Sequence, residues 1–103
     1  MSKTEKGKVA VVGDRETLPL FKSAGYTVVE AYSQSQALEA IARLESRGDI
    51  ALVIVLKHIL DDESKFKASL TKYKVPVFVL PTRWALGEPV DVNKIIAKAL
   101  GLG

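Results

Sequence analysis

A chain of 103 residues, 48% hydrophobic and 26% charged, has the composition of a single globular domain and not that of a disordered or fibrous polypeptide. It contains no cysteine and one histidine, which excludes disulfides, thiolate metal sites, cysteine nucleophiles and a multi-histidine metal centre. Its formal net charge of +3 is small and built from mixed charges, which argues against a nucleic-acid face.

The first residues, from Met1 to Lys8, are polar and lack the apolar centre of a signal peptide. The longest aliphatic run, at 50–56, is far short of the ~20 residues a membrane span needs. Both features predict a soluble, cytoplasmic protein with no direct membrane insertion.

A strand is predicted at 9–12, where Val9, Ala10, Val11 and Val12 form the continuous aliphatic run of a strand buried on both faces. It stops at Gly13-Asp14. Helix one follows. Pro19 fits only its first turn, which places the cap at Thr17 and not at Asp14, and Gly25 closes it. Strand two is predicted at 27–31. Ser33 and Gln36 then read as a capping box, and Ala37, Ala40, Ile41 and Leu44 form the apolar stripe of helix two, ended by Gly48. Strand three spans 50–56. Asp61 or Asp62 caps helix three, which runs to about Tyr73 with Phe66, Leu70 and Tyr73 on its core side. Strand four is predicted at 75–80, with Pro76 near its start, where a missing N–H matters least. A longer connection containing Trp84 and Leu86 leads to a last helix capped by Asp91. Val92, Ile95, Ile96, Ala99 and Leu100 are its stripe, and Gly101 stops it.

Strands alternating with helices imply a parallel sheet covered on both faces. The expectation is an α/β, flavodoxin-like (Rossmann-like) sandwich of four strands in the order 2-1-3-4 with a C-terminal helix. Residues 1–80 form its α/β body; 81–103 form a linker and the final helix of the same single domain.

The first strand-to-helix turn of such a fold is where a cofactor or phosphate usually sits. Here Gly13 has no second or third glycine after it, and no Gly-Lys-Ser/Thr follows, so neither a dinucleotide fingerprint nor a P-loop is present. Gly13 permits a tight turn, and Asp14 is expected to bond turn amides. A response-regulator receiver shares this βα order, yet strand three ends Val55-Leu56-Lys57, and Asp61 and Asp62 come too late to accept phosphate beside Asp14. Asp61, Asp62 and Glu63 read as helix-dipole partners and not as a cation site. His58 reads as a half-exposed residue at a strand end. Lys65, Lys67, Lys72 and Lys74 read as a solvated face, since Phe66 and Tyr73 belong to the core stripe. No catalytic residue, metal or cofactor is expected. Trp84 and Leu86 either cover the core or meet a partner. The final helix either packs on the sheet or docks on another polypeptide of a complex.

Taken together, Val11-Val12-Gly13-Asp14-Arg15-Glu16-Thr17, Phe21-Lys22-Ser23-Ala24-Gly25, Ala37 with Glu39, Asp49-Ile50-Ala51-Leu52-Val53-Ile54 and Val75-Pro76-Val77 resemble the F subunit of the archaeal and vacuolar-type rotary ATPases. The likeness runs from Val9 to Gly103. The family often carries an acid just after strand three, where Lys57-His58 stands here.

The resemblance implies a non-catalytic rotor component of the central stalk, which binds the coiled-coil axle (the D subunit) as ATP synthesis or hydrolysis is coupled to ion transport. It implies buried apolar partner contacts through Ile95, Ile96, Ala99 and Leu100; Val92 of the same stripe and Trp84 and Leu86 of the connection complete the candidate partner-binding residues. Lys94 and Lys98 would then face acidic surface. The location implied is cytoplasmic, peripheral to the membrane within the ATPase complex. The alternative is a receiver-like or nucleotide- and phosphate-sensing domain using the sheet mouth near Gly13 and Asp14.

Overall fold

In this computed structural model, the described residues are 7–81 together with Lys94 and Ala97, both helical. The elements run β1 (Lys8–Gly13), α1 (Leu18–Ser23), β2 (Thr27–Glu30), α2 (Gln34–Arg47), β3 (Ile50–Leu56), α3 (Glu63–Ser69) and β4 (Val77–Leu80). Short 3-10 turns at Lys57–Ile59 and Leu70–Lys72 follow β3 and α3. The four strands pair in the order β2-β1-β3-β4, and every pairing is parallel.

Alternation along β1 and β3 sends successive side chains to opposite faces. Ala10, Val12, Val53 and Val55 meet Ala37, Ala40, Ile41 and Leu44 of α2 and Phe66 of α3. Val11, Ile54 and Leu56 meet Leu18 and Phe21 of α1. Helices therefore cover both faces, and the two central strands are the continuous aliphatic runs. Phe21 also meets Tyr26 edge to face, with ring centroids 6.4 Å apart.

Local chemistry sets the element ends. Ser33 Oγ accepts from Gln36 N at 3.2 Å at the start of α2, and Gly48 closes that helix at φ +80°. The return bond of the capping box is shifted by one residue: Gln36 Oε1 accepts from the N–H of Tyr32, which precedes the cap. Asp62, and not Asp61, caps α3 by accepting from Lys65 N at 3.0 Å. Two strands are shorter than the sequence predicts. β2 ends at Glu30, although Ala31 N still donates to Gly13 O. β4 begins after Pro76, whose carbonyl accepts from Val53 N at 2.9 Å while its ring offers no donor.

The amino end of the sheet is tied by charge. Arg47 donates two bonds to the Asp49 carboxylate, at 3.1 and 2.9 Å, and Lys8 Nζ lies 3.5 Å from it. The Arg47 guanidinium holds the Asp49 carboxyl below its ordinary range.

Candidate functional site at the carboxyl end of the sheet

From β1 the chain passes through α1 to β2 on one side, then returns across β1 through α2 to β3. The winding reverses between β1 and β3, and the crevice outside their carboxyl ends is where α/β sheets bind ligands. The register pairs Val12 with Val55, so the residues that end and follow each strand, Gly13-Asp14 and Leu56-Lys57-His58, face each other there.

The groups at this crevice are bound to one another, and the strand ends beneath it are closely packed. Gly13 lies so close to Leu56 that a Cβ on residue 13 would clash with Leu56 Cδ1 and stand 2.9 Å from its Cγ. Leu56 is fully buried and has little room to retreat. Gly13→Ala should therefore destabilise the domain by about 1–3 kcal/mol through overpacking, readable as a lower urea midpoint at an unchanged slope.

Asp14 uses both carboxylate oxygens. Oδ2 accepts from the N–H of Glu16 and of Thr17, each at 3.2 Å, and from Thr17 Oγ1 at 3.1 Å. Oδ1 meets His58 Nε2 at 2.5 Å across the crevice. An ionised carboxylate only accepts, so Nε2 carries the proton in that contact. Thr17 stands at the N-cap position of α1 but makes no cap bond with its own side chain. Its backbone is already helical there (φ −92°, ψ −31°), and Asp14 takes over the freed amides from one turn earlier.

Burial raises the Asp14 carboxyl. The hydrogen bonds from His58, Thr17 and the backbone, with the charge of His58, outweigh burial and hold it below its ordinary value. A lowered folded-state pKa means stability that is complete above the unfolded carboxylate range and is lost as pH falls through the folded value. Asp14→Ala should cost about 1–3 kcal/mol at pH 7, and the gap to the parent protein should shrink in acid, as chemical denaturation at pH 7 and pH 3 would show.

Beside the crevice, Glu63 pairs with Lys67 at 3.0 Å and with Lys57 at 3.6 Å. Lys67 first, then Lys57, holds its carboxyl below the usual range. Asp62 is a helix cap and Glu63 an ion-pair partner. Among the described residues no three His, Asp or Glu side chains gather to hold a metal ion.

The structure brings Gly13, Asp14 and Thr17 together and adds His58, which sequence reasoning left without a partner. The signal was available: with β1 and β3 adjacent, the residues just beyond their ends must be neighbours. The other predicted site residues, Trp84, Leu86, Val92, Ile95, Ile96, Ala99 and Leu100, lie outside the described residues. Within the same predicted helix, Lys94 is exposed and Ala97 half-buried. No helix among the described residues is long and apolar enough to cross a membrane.

Comparison with known proteins matches residues 9–96 to the family model of the ATP synthase (F/14-kDa) subunit. The F subunit of the A-type ATP synthase of Methanocaldococcus jannaschii is 34% identical over 97 residues, covering 92% of this chain and 96% of that protein. The corresponding F subunit of Methanococcus maripaludis is 30% identical over 98 residues, with the same coverage of both chains. With a family match over most of its length and relatives aligned nearly end to end, this chain belongs to the family of the ATP synthase (F/14-kDa) subunit, which includes the F subunits of A-type ATP synthases.

Proposed function

We propose that the protein is the central-stalk F subunit of an A-type ATP synthase, a rotor element that carries out no chemistry of its own. It binds the coiled-coil axle and helps couple ATP synthesis or hydrolysis to ion transport. It sits on the cytoplasmic side as a peripheral part of the complex.

The observation that carries this reading is the family match from 9 to 96, which spans the α/β body and most of the predicted last helix. The crevice supports it. Asp14, the carboxylate at the mouth of the crevice, is spent on turn amides, Thr17 and His58. A rotor element transmits torque through contacts, and it needs a stiff body with an adhesive surface. The body is a parallel sheet covered on both faces. The adhesive surface is the terminal segment, where Trp84, Leu86, Val92, Ile95, Ile96, Ala99 and Leu100 bury apolar area against the axle. Lys94 and Lys98 at the rim favour encounter and orientation over raw affinity.

The purified axle protein from the same complex supplies the test. Mixed at micromolar concentration, the two proteins should co-elute from gel filtration as a stable complex. Separate elution at that concentration would count against the stalk reading.

A further inference from the structure

We propose that the open edge of β2, with the groove beside α1, takes an extended segment of another polypeptide that carries an acidic side chain. This docking surface lies on the described body of the domain and does not depend on the stalk reading.

The first observation is the direction of the backbone groups. Ala31 N donates to Gly13 O, so the N–H and C=O groups at Val29 and Thr27 also point toward β1. Those of Val28 and Glu30 then point outward, at an edge that no other strand among the described residues pairs with. Edge groups of this kind accept a further strand.

The second is the groove itself, about 550 Å³ in volume. Among the described residues its walls are Leu18, Pro19, Lys22 and Ser23 of α1, Val28 and Glu30 of β2, and Arg15 in the turn between β1 and α1. An added strand that pairs with Val28 and Glu30 sends alternate side chains toward α1, where Leu18, Pro19 and Val28 offer apolar surface.

The third is charge. Glu30 is answered by Arg15 at 3.3 Å, whereas Lys22 has no ion-pair partner among the described residues. Among the described residues the groove thus presents one unanswered cation, which a carboxylate in the incoming segment complements. Tyr32 guards the far end: its hydroxyl donates to Glu30 Oε1 and accepts from Arg15 N, each at 3.3 Å, and the residue is 53% exposed. A tyrosine and an arginine already held in place lose little freedom on contact. A second copy of this chain fits less well. Two-fold pairing of β2 with β2 sets two α1 helices on one face, each bringing its own Lys22.

The test is a nuclear magnetic resonance titration of the labelled full chain with a soluble seven-residue peptide alternating valine and aspartate, and with its valine-lysine counterpart. The aspartate peptide should shift the amides of Val28 and Glu30 and the resonances of α1, and should bind at least about tenfold more tightly than the lysine peptide. Val28→Pro removes an outward donor without touching the β1 ladder, so it should abolish the shifts in a protein that stays folded. Lys22→Glu should invert the preference between the two peptides. Shifts spread over the whole surface, equal response to both peptides, or full binding by the Val28→Pro protein would overturn the proposal. So would a dimer of the unmodified chain in light scattering that the Val28→Pro change dissociates, since the edge would then belong to a second copy.

Discussion

Replacing Ile95 and Ile96 together with serine is expected to weaken binding to the axle protein by at least about a hundredfold and leave the α/β body intact. The two isoleucines share one side of the predicted terminal helix with Val92, Ala99 and Leu100. Burying one such side chain is worth roughly 1.5–3 kcal/mol, so the two together, about 3–6 kcal/mol, exceed the ~2.7 kcal/mol of a hundredfold change. Among the described residues, Phe21, Phe66, Ile41, Ile54 and Leu56 are fully buried in the two core clusters of the body. Circular dichroism and the melting temperature of the free protein should therefore stay as they are. Loss of folding in the isolated variant would assign the helix to the domain's own core instead.

Phe66→Ala should do the opposite, destroying stability before it alters any contact with a partner. Phe66 is the one fully buried side chain α3 contributes, and it closes the cluster formed by α2, β1 and β3. Its loss leaves a cavity that the close-packed β-branched strands cannot fill, at a cost of about 3–5 kcal/mol. That is a large share of the roughly 5–15 kcal/mol that holds a domain together. The melting temperature should fall by at least about 12 °C. Lys65→Ala, on the exposed side of the same helix, should change stability by less than about 0.5 kcal/mol.

Much of this architecture is written locally. β1 and β3 announce themselves because a strand buried on both faces is apolar at every position, as Ala10 to Val12 and Val53 to Leu56 are. The start of α2 is legible because Ser33 and Gln36 sit three residues apart and need no other part of the chain. The strand order follows from right-handed crossovers between alternating elements.

What escaped was non-local or a matter of fine geometry. Asp14 and His58 are 44 residues apart, and only the register of β1 on β3 makes them partners. The sequence places Thr17 at the cap of α1 and Asp14 on the turn amides, but that Thr17 makes no cap bond with its own side chain, and leaves the first amides to Asp14, is something spacing alone does not decide. The outward edge of β2 is likewise invisible in the sequence, because Val28 and Val29 read alike until the sheet assigns each its direction.

The most direct trial of the central claim, that this protein acts by holding a neighbour in its complex, is calorimetry of one preparation against two titrants. The axle protein should release heat of binding with a one-to-one end point. Magnesium with ATP or ADP should give none beyond dilution. Tight nucleotide binding that Asp14→Ala abolishes, with no heat from the axle protein, would contradict it.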